Sequence, residues 1–164
     1  MPRLFLIDGS SYIFRAFHAI GRMSTSKGLP TNAIFGFTSM LVKVLREVKP
    51  KYVAVILDAK GPTFRDEIYP DYKANRPGMP ESLSPQIPYI KRIIEAHNIP
   101  VIEKEGYEAD DVMGTIAKEV AKKGVDVVMV TGDKDLLQLV DEHIYTLDTM
   151  RDRSFGAREV IERY

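Results

Sequence analysis

Short apolar runs alternate with helix-length amphipathic stretches along the chain, and this alternation restricts the fold more than any other feature. Three of the runs, residues 5–7, 52–57 and 127–130, are apolar throughout and of strand length. Continuous apolar runs of that length are typical of strands that are buried on both faces. The alternation therefore predicts an α/β fold, with a mostly parallel central sheet and helices on both faces.

Turn and capping residues place the elements more closely. A first strand at 3–7 precedes a helix at 10–20, which Ser10 or Ser11 can cap. Asn32 is predicted to cap a second helix, whose apolar residues recur at helical spacing. The other helices are predicted at 85–97, 108–123 and 157–164, with a short one after Asp135. The other strands are predicted at 52–57, 101–102, 126–130 and 144–147.

The composition narrows the class of protein. A length of 164 residues corresponds to one domain, and 45% hydrophobic residues can form a core of its own. The absence of cysteine excludes disulfides, thiol catalysis and cysteine-based zinc sites. His18, His97 and His143 have no spacing typical of a zinc site or a base, so they are interpreted as structural. Asp8 comes too early for a signal peptide, and no apolar run approaches the roughly 20 residues that cross a bilayer, so a cytoplasmic location is expected.

Acidic residues cluster at the ends of the predicted strands and at one helix start. There are seven of them, in four clusters: Asp8, Asp58, Glu108, Asp110, Asp111, Asp133 and Asp135. Ligands of an open α/β sheet bind outside the carboxyl ends of its strands, so parallel strands would bring these carboxylates to one rim. Carboxylates crowded into one cleft repel one another unless a cation lies between them. The pattern therefore predicts a metal centre.

The ligand chemistry indicates which metal would bind. Carboxylate oxygens without nitrogen or sulfur ligands suit Mg²⁺ or Mn²⁺. Two such ions about 4 Å apart can stabilise the attacking and leaving oxygens of phosphodiester hydrolysis, with water as the nucleophile. Neither GxxxxGK[ST] nor GxGxxG is present, so no nucleotide cofactor is predicted. Each acid also has an ordinary alternative as a turn residue, a helix cap or a residue favoured by a helix dipole.

Positive charge and aromatic rings indicate a polyanionic substrate. Basic and acidic residues number 23 each, so setting aside the seven clustered acids leaves 16 acids against 23 bases on the rest of the chain. A basic body around a metal centre suits a polyanion, although solvation of the surface is the alternative. Residues 60–84 contain four prolines and interleave tyrosine with lysine and arginine. That composition is typical of contact with single-stranded nucleic acid, the alternative being an excursion that binds no ligand.

Six short segments carry the most specific pattern in the chain: 6–11 (LIDGSS), 35–37 (FGF), 58–60 with 63–65 (DAK and TFR), 72–76 (YKANR), 106–111 (GYEADD) and 131–135 (TGDKD). In this order and separation they resemble the N-terminal 5′ nuclease domain of bacterial DNA polymerase I, a member of the flap endonuclease group. The resemblance runs from Leu4 to about Tyr164. It implies a PIN-like three-layer fold.

The resemblance also implies a role for each site residue. Asp8, Asp58, Glu108 and Asp110 would be ligands of a first ion, with Asp111 as a close supporter. Asp133 and Asp135 would lie on the side that the two ions share and on the side of the second ion. Lys73 and Arg76 would be catalytic residues that reach the scissile phosphate from the base of a helical arch at about 60–84. Arg15, Arg65 and Tyr72 would be further DNA contacts.

The implied function is a structure-selective 5′→3′ exonuclease or flap endonuclease that hydrolyses DNA with Mg²⁺ or Mn²⁺, in primer removal and repair. Its partner would be DNA with a 5′ flap or 5′ end, with an RNA primer in an RNA–DNA hybrid as a further substrate, and the protein would act as a monomer. A PIN-type ribonuclease and a non-catalytic DNA-end-binding fragment are the alternatives. Family members continue into a helix-hairpin-helix region and a polymerase domain, so a full set of two ions is expected only in a longer protein.

Overall fold

The computed structural model describes residues 2–59, 79–149 and 153–163. Most of the arch predicted at about 60–84 lies outside these residues, as do Arg65, Tyr72, Lys73 and Arg76. Within the described ranges, no helix combines the length and the apolar character needed to cross a bilayer.

A central sheet runs through the described part of the chain. Its strands are β1 (Arg3–Asp8), β2 (Tyr52–Ile56), β3 (Val101–Ile102), β4 (Asp126–Val130), β5 (Ile144–Asp148) and β6 (Arg153–Phe155). Their order in the sheet is β3-β2-β1-β4-β5-β6. The first five strands are parallel, and β6 pairs antiparallel with β5. The predicted, mostly parallel sheet is confirmed, and its carboxyl ends meet at one rim.

Helices cover both faces of the sheet. They are α1 (Gly9–Ala19), α2 (Asn32–Val48), α3 (Ile87–Ala96), α4 (Ala109–Ala121) and α5 (Ala157–Arg163), with 3₁₀ helices at Ser84–Gln86 and Lys134–Leu139. Side chains from α1, α2 and α3 share one core with Ile7 and Val55. Met113 of α4 packs in the opposite core with Leu6 and Met129. Neighbouring residues of β1 thus serve opposite cores, as the pleat requires, and the predicted three layers are confirmed.

The first helix begins directly after β1 instead of after a serine cap. Asp8 is the N-cap, and its Oδ1 accepts a hydrogen bond of 3.3 Å from the Ser11 amide. The prediction that Ser10 or Ser11 caps the helix is therefore wrong, because the strand leads into the helix without a connecting loop. Gly9 makes this possible, since a Cβ there would lie 2.6 Å from Leu57 Cδ2.

Asn32 does not cap α2, as the sequence had suggested, but is its first helical residue after Thr31. Its Nδ2 donates to the carbonyls of Phe17 at 3.0 Å and Ile20 at 3.2 Å, which lie at the end of α1. Its Oδ1 accepts a 2.8 Å hydrogen bond from Nε2 of the fully buried Gln86. The side chain satisfies carbonyls that a helix end leaves without partners, and so joins α1, α2 and the first 3₁₀ helix.

The remaining differences concern short or edge elements. Strand β6 was not predicted. The predicted helix at 85–97 divides into a 3₁₀ helix followed by α3. The short helix predicted after Asp135 is a 3₁₀ helix that already begins at Lys134. Other boundaries differ by one or two residues, the ordinary scatter of element ends.

Candidate metal centre

Asp8 is the most enclosed of the seven acids. It ends β1 and is only 5% exposed. Besides the Ser11 amide on Oδ1, its Oδ2 accepts a 2.8 Å hydrogen bond from the Thr131 hydroxyl. Burial raises the pKa of Asp8 to about 6, against the lowering effect of the Thr131 and Ser11 hydrogen bonds, and the charges of Asp133 and Asp58 raise it further. A nearby cation would favour the charged form of this carboxylate.

Asp58 lies two residues beyond β2 and joins three elements. Its amide donates to Ser10 Oγ at 2.7 Å, which fixes it to the first turn of α1. Its Oδ1 accepts a 2.6 Å hydrogen bond from the amide of Ala109, the first residue of α4. Backbone amides at a helix start carry partial positive charge, so a carboxylate is favoured there. Asp58 therefore connects the rim of the sheet to the acids of α4.

The start of α4 gathers three carboxylates. Glu108 is the N-cap and forms a capping box with Asp111, in which the Glu108 amide donates to Asp111 Oδ2 at 3.2 Å. Glu108, Asp110 and Asp111 each offer one oxygen, and these oxygens lie within 4.8 Å of one another. All three residues are half-buried. This spacing and the all-oxygen donor set fit one hard divalent cation.

Asp133 is connected to Asp8 through Thr131. The Thr131 hydroxyl donates to Asp8 Oδ2 and accepts a 3.0 Å hydrogen bond from the Asp133 amide. Asp133 Oδ1 in turn accepts a 2.9 Å hydrogen bond from the amide of Asp135. Asp135 is exposed and lines a cavity of about 450 Å³ together with Asp110 and Asp111. Contacts of this kind link the acids from the ends of β1, β2 and β4 with those of α4 along one rim.

An eighth acid on this rim was missed by the sequence reasoning. Asp148 ends β5, is buried, and lies 3.5 Å from Arg15 Nη1. The predicted strand stopped one residue earlier, at Leu147, although the position of Asp148 at a strand end was the same signal that identified Asp8.

The Arg15 guanidinium also lies over the ring of Tyr12, 5.6 Å from its centroid. Among the predicted DNA contacts, Arg15 lies in the described part of the chain. Its side chain is 28% exposed.

The histidines have contacts away from the acidic rim. His143 Nδ1 lies 3.0 Å from Asp126 Oδ1, where β4 and β5 begin, and this hydrogen bond raises the pKa of His143. His97 Nδ1 lies 2.8 Å from the Ile93 carbonyl, and the ring of His18 packs edge-on against Phe17.

A parallel sheet between helical layers, with carboxylates from several strand ends on one rim, defines a PIN-like three-layer α/β protein with an acidic candidate metal centre. The chain belongs to the family described as 5′-3′ exonuclease, N-terminal resolvase-like domain, whose model matches residues 3–164.

Curated relatives and solved structures agree with this family. A protein named 5′-3′ exonuclease from Aquifex aeolicus is 44% identical over 164 residues, which is 100% of this chain and 57% of the relative. A protein named DNA polymerase I from Caldicellulosiruptor bescii is 48% identical over 142 residues, 87% of this chain and 17% of the relative. The chain thus spans little more than half of the first relative and a small part of the second.

Two structures of the T5 D15 protein share the fold. One, co-crystallised with metal ions, has a TM-score of 0.74 at 21% identity and covers 98% of this chain and 60% of its own. The other, described as a D15 flap endonuclease pseudo-enzyme-product complex with DNA and metal ions, has a TM-score of 0.71 at 23% identity, with the same two coverages of 98% and 60%.

Proposed function

We propose that this chain is the metal-binding catalytic domain of a structure-selective 5′→3′ exonuclease or flap endonuclease that hydrolyses DNA phosphodiester bonds, with roles in primer removal and repair. The observation that carries the proposal is the position of Asp8 and Asp58 at the carboxyl ends of neighbouring parallel strands, with Asp58 hydrogen-bonded to the helix start that gathers Glu108, Asp110 and Asp111. Membership of the 5′-3′ exonuclease family supports the polarity of the reaction. The assay below must distinguish this function from two alternatives, a PIN-type ribonuclease and a non-catalytic DNA-end-binding fragment.

The donor set supports Mg²⁺ or Mn²⁺ as the cofactor. We assign Asp8, Asp58, Glu108 and Asp110 to a first ion, with Asp111 as the residue that orders Glu108 through the capping box. We assign Asp133 and Asp135 to the side of a second ion, with both ions bound in the full-length protein. Ions held there would generate hydroxide from water at neutral pH and stabilise the leaving oxygen of the phosphodiester.

The hydrogen bonds to Asp8 and Asp58 orient their carboxylates for metal binding. Asp58 keeps Oδ1 on the Ala109 amide, so Oδ2 is the oxygen that we assign to the ion. Asp8 is kept from bulk water by burial, and its two hydrogen bonds fix the orientation of the carboxylate before an ion arrives. Ligands that are oriented by partners of their own hold a metal more tightly than free side chains do.

The substrate assignment rests on charge and on the family. The rest of the chain carries 23 basic against 16 acidic residues, which suits a polyanion. Lys73 and Arg76 are proposed as catalytic contacts to the scissile phosphate, and Arg15, Arg65 and Tyr72 as further DNA contacts. DNA with a 5′ flap or 5′ end is the proposed partner, with an RNA primer in a hybrid as a second substrate.

The test is cleavage of a 5′-labelled flap DNA by this chain and by a longer version of it, with Mg²⁺ and with EDTA. Cleavage that needs Mg²⁺ and is lost in Asp110→Asn supports the proposal. The matched control is Glu95→Gln, an exposed carboxylate at the end of α3, on the opposite rim where β3 begins. Binding without cleavage by the longer protein would indicate the DNA-end-binding alternative, and a strong preference for an all-RNA strand would indicate the ribonuclease.

A further inference from the structure

Gly132 lies between Thr131 and Asp133, directly under the guanidinium of Arg15. A Cβ at position 132 would lie 2.9 Å from both Arg15 Cζ and Nη1, and closer still to Nη2. The backbone of Gly132 is not in the left-handed region, so its conformation does not require glycine. Glycine is required here because the Arg15 side chain leaves no room for a Cβ.

Arg15 is held in that place from two other sides. Asp148, at the end of β5, lies 3.5 Å from Nη1, and the Tyr12 ring packs against the guanidinium. Moving the end of a flexible arginine is ordinarily cheap, but here it would separate an ion pair whose acidic partner is buried. Losing a charged partner is unfavourable for a buried carboxylate, so moving Arg15 to make room for a side chain at 132 is costly.

The Asp148 side of this arrangement is itself fixed. Tyr12 Oη accepts hydrogen bonds from the amide and the hydroxyl of Thr149, at 3.3 and 3.2 Å. Lys43 Nζ donates to the Thr149 carbonyl at 3.1 Å. The residue after Asp148 is thereby attached to both α1 and α2. The ion pair therefore spans α1 and β5, above the turn that follows β4.

The turn beneath Arg15 carries part of the candidate metal centre. Thr131 Oγ1 is hydrogen-bonded to both Asp8 Oδ2 and the Asp133 amide, so a shift of the turn changes both carboxylates together. We infer that Arg15 is a positioning residue, which, paired with Asp148 and seated on the bare backbone of Gly132, holds the 131–133 turn so that Asp8 and Asp133 both face the metal centre. This inference rests on the proposed metal-dependent function, and for Arg15 it replaces the direct DNA contact that the family resemblance implied.

The experiment compares Gly132→Ala, Arg15→Gln and their double variant, titrated with Mn²⁺ by calorimetry. Loss of a group that orients metal ligands typically lowers metal affinity about 10- to 100-fold, and that loss is expected in both single variants. Because Arg15→Gln removes the group that a Cβ would meet, Gly132→Ala should cause no further loss in the Arg15→Gln background. Gly21→Ala is the matched control, since a Cβ there meets nothing within 4 Å.

A second measurement needs no metal. The Asp133 amide, bonded to Thr131 Oγ1, should exchange its hydrogen faster in Gly132→Ala and in Arg15→Gln than in the wild type or Gly21→Ala. Unchanged exchange and unchanged Mn²⁺ affinity in Arg15→Gln, with weaker DNA binding and a salt dependence lower by about one phosphate contact, would show a direct phosphate contact and overturn the inference. A wild-type chain that binds no Mn²⁺ would instead contradict the proposed function, while amide exchange would still decide the role of Arg15.

Discussion

Asp58 and Ala109 are 51 positions apart in the sequence, yet the Asp58 carboxylate accepts a 2.6 Å hydrogen bond from the Ala109 amide. This contact fixes the start of α4 against the end of β2. Three further carboxylates lie at that helix start, so the orientation of the whole helix determines whether they reach the rim of the sheet.

Removing this contact should therefore affect stability as well as metal binding. In Asp58→Ala, the first turn of α4 loses the acceptor for one of its amides, and we expect the free energy of unfolding to fall by about 1 kcal/mol. Urea denaturation in EDTA measures this without interference from metal. Glu95→Gln should leave the unfolding midpoint unchanged, whereas equal stability of Asp58→Ala and wild type would show that the hydrogen bond contributes nothing.

The raised pKa of Asp8 predicts a pH-dependent stability in the absence of metal. The Asp8 carboxyl has a pKa of about 6 in the folded protein, against an ordinary value of 3.8 that applies to the unfolded chain. The folded state therefore holds the proton more tightly. Wild-type stability should therefore fall as pH rises from about 4 to 6, by up to about 3 kcal/mol from this group. Asp8→Asn does not titrate, so it should be more stable than wild type above pH 6 and lose that advantage near pH 4.

Mn²⁺ should reverse this order, because the ion stabilises the ionised Asp8 of the wild type and not the amide of the variant. Thermal unfolding at pH 7, with and without Mn²⁺, measures the reversal. If the wild type is the more stable protein even in EDTA, burial of the ionised Asp8 carboxylate does not destabilise the metal-free protein.

Cleavage should depend on individual acids. In the intact protein, Asp8→Ala and Asp110→Ala are expected to lower the single-turnover rate by roughly 10²–10³-fold, the usual loss on removing one electrostatic stabiliser. DNA affinity measured by anisotropy should change little, because these residues would hold metal and not the DNA backbone. Normal turnover in both variants would refute their assignment as ligands.

Lys73 and Arg76 are predicted to act on the substrate and not on the fold. Alanine at either position should slow cleavage, while the melting temperature changes by the equivalent of less than about 0.5 kcal/mol, as for most surface substitutions. Differential scanning calorimetry and single-turnover kinetics on the same samples separate the two effects. A large loss of stability with unchanged turnover would mean that these side chains serve the structure instead.

This chain should bind one divalent ion more tightly than a second. Glu108, Asp110 and Asp111 bring three oxygens within 4.8 Å of one another, whereas Asp135 is exposed. Calorimetric titration with Mn²⁺ should show one tight event and one weak event, and DNA binding should weaken steeply with salt. Two equally tight sites would mean that residues 1–164 already provide both complete ligand sets.

Much of the fold could be predicted because β1, β2 and β4 each contain a continuous apolar run. Their carboxyl ends carry acids, which also predicted the rim. Strand β6 was missed because Arg153–Phe155 is short, lies at an edge and has two exposed residues of three. Asn32 was assigned as a cap because buried hydrogen bonds to Phe17, Ile20 and Gln86 leave no local pattern. The same holds for Arg15 above Gly132, since only the folded chain brings α1 to the turn after β4.

The chain is fixed by hydrogen bonds before residues 60–78 and again after them. On one side, the Asp58 amide is attached to Ser10. On the other, Gln86 is locked to Asn32 at 2.8 Å and to the Ser82 carbonyl at 2.8 Å. These attachments belong to the frame of α1, α2 and the sheet and not to the intervening segment. Relatives could therefore exchange that segment for one of another length or charge while the carboxylates of the rim keep their places.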